Sequence, residues 1–124
     1  MSGALEAIVE GYWQAAVERD WTAFGKLLDN DILYEVPQTR ERVRGKEGYI
    51  DFNATFPGDW TLAVDSIVAG DRQAVSRVTF EVDGQSMTGI SFFEFRDGLI
   101  CRITDFWPEP YEPPARMTRH IERY

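Results

Sequence analysis

The second half of the chain alternates apolar and polar residues with a period of two, and this pattern constrains the fold more than any other feature. Four such segments occur, at residues 60–69, 73–82, 86–95 and 99–107. A Gly-Asp or Asp-Gly pair lies between each of the last three segments and the one before it, and such pairs are typical of tight hairpin turns. The pattern therefore predicts four consecutive strands in an antiparallel meander.

The first half of the chain carries helical spacing instead. Apolar residues recur every three or four positions over residues 4–19, with glutamates off that stripe, which predicts an amphipathic helix. Asp20 can cap a short second helix that runs to residues 29–31, and a third helix carries residues 49–56. Residues 32–36 are expected to form a strand, followed by a charged, solvated loop. Because the predicted helices precede the predicted meander along the chain, we expect an α+β domain with the helices on one face of the sheet.

Composition and charge exclude several classes of protein. A chain of 124 residues fits one ordinary domain, and its net charge of -8 disfavours binding to nucleic acid or to anionic membranes. The single Cys101 allows no internal disulfide. The N-terminal residues are acidic where a signal peptide would be basic and then apolar, and no apolar run reaches the ~20 residues that span a bilayer. We therefore expect a cytoplasmic protein with neither nucleic acid nor membrane as a partner.

One residue contradicts the strand character of the segment GLICRITDFWP, which covers residues 98–108. Asp105 is disfavoured in a strand because its short side chain competes for the backbone and packs poorly. Alternation predicts that one face of the strand holds Cys101, Ile103, Asp105 and Trp107. Burial among apolar neighbours would raise the pKa of the Asp105 carboxyl and suit it to proton transfer near neutral pH. Alternatively, Asp105 pairs with an arginine or caps a turn.

The order of elements resembles the nuclear transport factor 2 (NTF2)-like superfamily, especially its SnoaL-like and ketosteroid-isomerase-like members. The motifs that carry the resemblance are Tyr12-Trp13, RDW at 19–21, DILYEVP at 31–37, VRGKEGYIDF at 43–52 and FFEFRDGLICRITDFW at 92–107. The resemblance implies a cone-shaped fold, in which a strongly curved, mainly antiparallel sheet wraps the helices around an internal pocket. It also implies a homodimer that binds a small, largely apolar ligand. The domain would span residues 1–107, and the Pro-rich tail, residues 108–124, would pack on or near the pocket mouth.

The resemblance also transfers functional positions. Tyr12 matches the catalytic tyrosine of ketosteroid-isomerase-like enzymes, but Val36 and Ser91 stand where those enzymes carry two carboxylates, which disfavours steroid isomerisation. Asp105 matches the aspartate that SnoaL-like polyketide cyclases use as general acid and base. Those cyclases place a histidine two residues earlier, where this chain has Ile103.

We predict Asp105 and Tyr12 as the catalytic pair, although Tyr12 could also be a core tyrosine. The predicted ligand-binding residues are Trp13, Asn53, Ser91, Phe93, Ile103 and Trp107. No cofactor and no metal site are predicted, because the one histidine, His120, lies in the tail. Two functions stay open. The first is a cofactor-free acid–base enzyme, of isomerase, cyclase or dehydratase type, acting on a small apolar carbonyl compound. The second is a non-catalytic ligand-binding or dimerisation module.

Overall fold

The computed structural model describes residues 2–124, which form three helices and one six-stranded sheet. The helices are α1 (Ser2–Glu18), α2 (Trp21–Lys26) and α3 (Lys46–Ala54). The strands are β1 (Leu28–Val36), β2 (Glu41–Arg44), β3 (Thr61–Ala69), β4 (Gln73–Val82), β5 (Gln85–Arg96) and β6 (Leu99–Phe106). The predicted α+β class is confirmed. None of the helices within residues 2–124 is long and apolar enough to cross a bilayer.

The sheet is curled, unclosed and mixed, with strand order β2-β1-β6-β5-β4-β3. Strands β3 to β6 form the predicted antiparallel meander. Strand β1 pairs with β2 in antiparallel fashion and with β6 in parallel fashion. The parallel pairing brings the first strand of the chain beside the last, and this contact positions the candidate site.

Helix α1 packs its apolar stripe on the inner face of the sheet and contacts β3 and β4. Val9, Tyr12, Trp13 and Ala16 on this helix are buried in the core. Helix α2 begins as predicted, since the Asp20 side chain accepts a hydrogen bond of 3.1 Å from the backbone N–H of Ala23. The helices therefore fill the inside of the curled sheet.

Two predictions around β1 and β2 are wrong. Helix α2 ends at Lys26 and β1 begins at Leu28, so the helix does not reach residues 29–31. The expected loop contains the short strand β2, which lies at the sheet edge and exposes its charged residues. Charged side chains are common on edge strands, where they discourage pairing with another chain. Val43 is the one apolar residue of β2 and the one that is partly buried. The sequence of β2 therefore has no alternation of apolar and polar residues that would predict a strand.

The predicted alternation along β6 fails at Cys101. The register between β5 and β6 shifts there, because Glu94 pairs with Arg102 while Phe95 pairs with Ile100. Cys101 is the extra residue of this β-bulge. Ile100 is therefore buried in its place, while Ile103 and Asp105 keep their predicted inward direction.

Residues 108–124 contain no helix or strand, and all of them are exposed. Their packing on or near a pocket mouth stays a prediction.

Candidate active site

A cavity of about 270 Å³ lies between α1, α3 and the inner face of the sheet. Its wall is dominated by aromatic rings, with Asp105 as its buried carboxylate. Glu41 also lines it but is exposed. A larger open cleft of about 520 Å³ lies between α1 and β3, and its acidic residues are all exposed. The aromatic cavity is the better candidate, because it combines apolar walls with one buried titratable group.

Asp105 receives a hydrogen bond on each carboxylate oxygen. The Tyr34 hydroxyl donates to Oδ2 over 2.5 Å, and the Ser91 hydroxyl donates to Oδ1 over 2.6 Å. The side chain is 5% exposed, and burial raises the pKa of Asp105 from 3.8 to about 6, although the two hydrogen bonds act to lower it. Neither an arginine nor a backbone amide is hydrogen-bonded to Asp105 within residues 2–124.

The sheet register explains why these two hydroxyls meet Asp105. Ser91 on β5 pairs directly with Asp105 on β6, so both side chains point to the same inner face. In the parallel pair of β1 and β6, Tyr34 lies opposite Ile103, two residues before Asp105. Its long side chain covers that distance and delivers the hydroxyl to Oδ2.

Two further tyrosines form a second hydroxyl pair in the same cavity. The hydroxyl groups of Tyr12 on α1 and Tyr49 on α3 are hydrogen-bonded to each other. The Tyr34 and Tyr49 rings are 4.7 Å apart between centroids, so the two pairs adjoin. Burial raises the pKa of Tyr12, Tyr34 and Tyr49 above 10.0, and the Asp105 carboxylate nearby raises it further. All three hydroxyls therefore stay protonated and able to donate.

The cavity wall contains five of the residues selected from the sequence: Tyr12, Trp13, Asn53, Asp105 and Trp107. The Trp13 indole N–H donates to the Ser76 hydroxyl over 3.0 Å, and the Asn53 side-chain amide donates to the Tyr49 carbonyl over 2.8 Å. Both polar groups are thus held by their neighbours.

The other three predicted ligand-binding residues lie behind the wall. Ser91 is 2% exposed and contacts Asp105, while Phe93 and Ile103 are fully buried in the core. The Phe93 ring packs edge-on against Tyr12 at 5.2 Å between centroids. These residues support the cavity without lining it.

Sequence reasoning missed Tyr34 and Tyr49 as site residues. The alternation of Ile32, Tyr34 and Val36 already indicated that Tyr34 points inward. The hydroxyl contact between Tyr12 and Tyr49 spans 37 positions and has no local signal.

The described residues contain no cluster of three or more His, Cys, Asp or Glu side chains that could hold a metal ion. His120 is exposed in the tail.

The SnoaL-like domain family matches residues 9–103 of the chain. No curated protein sequence matches it significantly. A crystal structure described as a "putative ketosteroid isomerase" from Kribbella flavida DSM 17836 is similar over 99% of this chain and 91% of that chain, with 38% identity and a TM-score of 0.95.

Two more distant solved structures share the fold. A "putative polyketide cyclase" from Xanthomonas campestris pv. campestris has 23% identity and a TM-score of 0.70, over 86% of this chain and 92% of that chain. An LEH-like epoxide hydrolase from M. tuberculosis has 18% identity and a TM-score of 0.73, over 86% and 84%. The family match covers most of the chain, and the fold agrees with it throughout. This chain therefore belongs to the SnoaL-like domain family, within the NTF2-like superfamily.

Proposed function

We propose that this protein is a cofactor-free acid–base enzyme that acts on a small, largely apolar carbonyl compound. The observation that carries the proposal is the burial of Asp105 in an aromatic cavity, with its pKa raised to about 6. A group with a pKa near the working pH can both accept and return a proton, which general acid–base catalysis requires.

Asp105 is the base in this mechanism. At pH 7 its carboxylate form exceeds the acid form roughly tenfold. Each carboxylate oxygen accepts one hydroxyl hydrogen bond and keeps a second lone pair. Asp105 removes a proton from the carbon next to the substrate carbonyl, and the C–H electron pair moves onto the carbonyl oxygen to give an enolate.

The Tyr12 and Tyr49 pair supplies the hydrogen bond that stabilises the enolate oxygen. When one hydroxyl donates to the other, the acceptor keeps its own hydrogen to donate into the cavity. Return of the proton from Asp105 to another carbon completes an isomerisation. When the enolate attacks a second carbonyl, Asp105 returns the proton to the new alkoxide and completes a cyclisation. When the C–O bond to a β-hydroxyl group breaks instead, Asp105 gives the proton to the departing oxygen, and water leaves.

The single buried carboxylate favours this chemistry over reactions that need two. Asp105 is the one buried acidic residue within residues 2–124. Val36 lines the cavity, and Ser91 is used as a donor to Asp105. Steroid isomerisation by two carboxylates therefore lacks both of them, and an Asp-Arg-Asp epoxide hydrolysis lacks a second buried carboxylate beside Asp105.

A ligand-binding module is the second candidate. The observation that favours it is the occupation of both Asp105 oxygens by hydroxyl donors, which would suit a carboxylate that only anchors a ligand. We further propose a homodimer formed through the outer sheet face, where Phe92 is 41% exposed, and a cytoplasmic location.

Exchange of ketone α-protons for deuterium tests the enzyme directly, because it reports enolate formation whatever the later step. Cyclohexenone and 2-tetralone are incubated with the protein in D₂O and followed by NMR, while calorimetry measures their binding. We expect exchange above background with the native protein and background exchange with Asp105→Asn. Asp71→Asn, which changes an exposed aspartate in the β3–β4 turn, should keep the native rate. Binding of both ketones without exchange would overturn the enzyme in favour of the module.

A further inference from the structure

We propose that the Trp107 indole is the wall that limits the ligand to about two fused rings, and that Gly89 and Gln38 hold it in place. The inference rests on the proposed function, because it names the substrate class of the same cavity. It depends on the contacts of Trp107, on the position of Trp107 opposite Gly89 in the pairing of β5 with β6, and on the volume of the cavity beside the indole.

Gly89 is the surface on which the indole lies. In the register of β5 and β6, Ile90 pairs with Phe106, so Gly89 stands across from Trp107. A Cβ atom added to Gly89 would lie 2.6 Å from Cζ3 and 2.7 Å from Cη2 of Trp107. These distances leave no room for any side chain. The indole therefore rests directly on the β5 backbone, as aromatic side chains do across a strand glycine.

Gln38 fixes the backbone of Trp107 beyond the end of the sheet. Strand β6 ends at Phe106, so the ladder provides no partner for the next residue. The Gln38 side chain takes that place, because its amide donates to the Trp107 carbonyl over 3.1 Å and its oxygen accepts from the Trp107 N–H. The Phe80 ring packs against the indole at 5.6 Å between centroids. Gln38 thus holds the backbone of Trp107, while Gly89 and Phe80 contact its indole ring.

The volume that this wall leaves is small. A cavity of about 270 Å³ lies below the roughly 300–1,000 Å³ of sites for drug-sized ligands. At a packing density near 0.74, the ligand fills about 200 Å³ of it. A flat two-ring ketone fits this volume, whereas a compound with four rings fused in an extended array exceeds it. The aromatic walls, which include Tyr34, Phe52 and Trp60, favour a planar ring system.

A ring-size series measured by calorimetry tests the wall. The probes are phenol, 2-naphthol and 6-hydroxychrysene, whose hydroxyl groups can mimic an enolate oxygen. We expect the native protein to bind 2-naphthol at least tenfold more tightly than either of the others. Trp107→Leu should bind 6-hydroxychrysene at least tenfold more tightly than the native protein does. The inference would be overturned if the affinity of the native protein did not fall between the two-ring and the four-ring probe. It would also be overturned if Trp107→Leu ranked the three probes by affinity in the same order as the native protein.

The same series with Asp105→Asn separates this inference from the proposed function. That variant removes the base and leaves the wall, so its size order should match the native one. Size selection without any α-proton exchange in the native protein would refute only the enzyme. Exchange without size selection would refute only the wall.

The close contact at Gly89 provides an independent test. Gly89→Ala should push the indole into the cavity, lowering both the melting temperature and the affinity for 2-naphthol. Adding Trp107→Leu removes the clash and should restore the melting temperature towards that of Trp107→Leu alone. Gly11→Ala is the matched control, because its Cβ would lie at an ordinary 3.5 Å from Leu27 Cδ1. A Gly89→Ala protein with native stability and affinity, or a double variant no more stable than Gly89→Ala, would contradict the assignment.

Discussion

The Tyr34 hydroxyl lies 2.5 Å from Asp105 Oδ2, although the two residues are 71 positions apart in the chain. Strands β1 and β6 form the parallel pair of the sheet, and this pairing brings the two residues together. The hydrogen bond crosses between the first strand and the last, inside the aromatic cavity. The chemistry of Asp105 therefore depends on the topology of the sheet as well as on its own strand.

Replacing Asp105 with Asn should stabilise the protein at alkaline pH. The pKa of Asp105 is raised from 3.8 to about 6 in the folded state, so the native protein binds this proton more tightly than the unfolded chain. The stability contributed by that proton is fully present below pH 3.8 and is lost as the pH rises through 6. At pH 8 the ionised carboxylate then costs on the order of 3 kcal/mol of unfolding free energy.

Thermal unfolding at pH 5 and pH 8 measures this difference. Asp105→Asn should melt at or above the native temperature at pH 8, with an advantage that shrinks towards pH 5. Asp71→Asn should show the same small difference at both pH values. A loss of about 1–3 kcal/mol in Asp105→Asn at pH 8 would instead indicate a structural carboxylate that needs its charge.

Removing the Tyr34 hydroxyl should raise the pKa of Asp105 further. The hydrogen bond from Tyr34 favours the ionised carboxylate and lowers the pKa of Asp105 against the effect of burial. In Tyr34→Phe, the titration midpoint of the Asp105 ¹³C carboxyl signal should therefore move above the native one. Ser91→Ala should move it in the same direction, while Tyr111→Phe, in the exposed tail, should leave it unchanged. An unmoved or lower midpoint in Tyr34→Phe would show that its hydroxyl does not stabilise the charge.

Placing a charge on the outer sheet face should dissociate the proposed homodimer. Phe92 is 41% exposed there and packs edge-on against Phe106, which leaves apolar surface in water for an isolated chain. We expect the native protein to sediment as a dimer at micromolar concentration and Phe92→Lys to sediment as a monomer. Val17→Lys alters an exposed apolar residue on α1, which packs on the opposite, inner face of the sheet, and should stay dimeric. A monomeric native protein would contradict the proposal.

Period-two alternation and Asp-Gly turns were sufficient to predict the meander, because each hairpin is decided by residues close in sequence. The inward direction of Asp105 followed from the same alternation. The bulge at Cys101 was not predictable, since a bulge changes the pairing of two strands without a requirement for a particular residue there.

The hydroxyl network depends on distant pairing. Alternation alone could direct Tyr34 inward, but only the parallel contact of β1 with β6 decides that it meets Asp105. Similarly, Gly89 has no special signal in its strand until Trp107 is known to lie across from it. Local patterns therefore identified the inward-facing carboxylate, and tertiary structure was needed to identify its hydrogen-bond partners.

Tyr12 and Tyr49 should contribute unequally to the proposed reaction, and the difference distinguishes a donor to substrate from a residue that positions it. Both hydroxyls are buried and bonded to each other, and both rings have aromatic contacts: Tyr12 with Phe24 and Phe93, and Tyr49 with Phe24 and Tyr34. If Tyr12 donates to the enolate, Tyr12→Phe should lower the α-proton exchange rate by roughly 10²–10³, because a stabilising donor is lost. Tyr49→Phe should lower it by less, since the Tyr12 hydroxyl is still present.

Affinity for 2-naphthol should change little in Tyr49→Phe, and melting temperatures show whether either variant is misfolded. Equal losses of exchange in the two variants would mean that the pair acts as one unit, and a larger loss in Tyr49→Phe would assign the donor to Tyr49 instead.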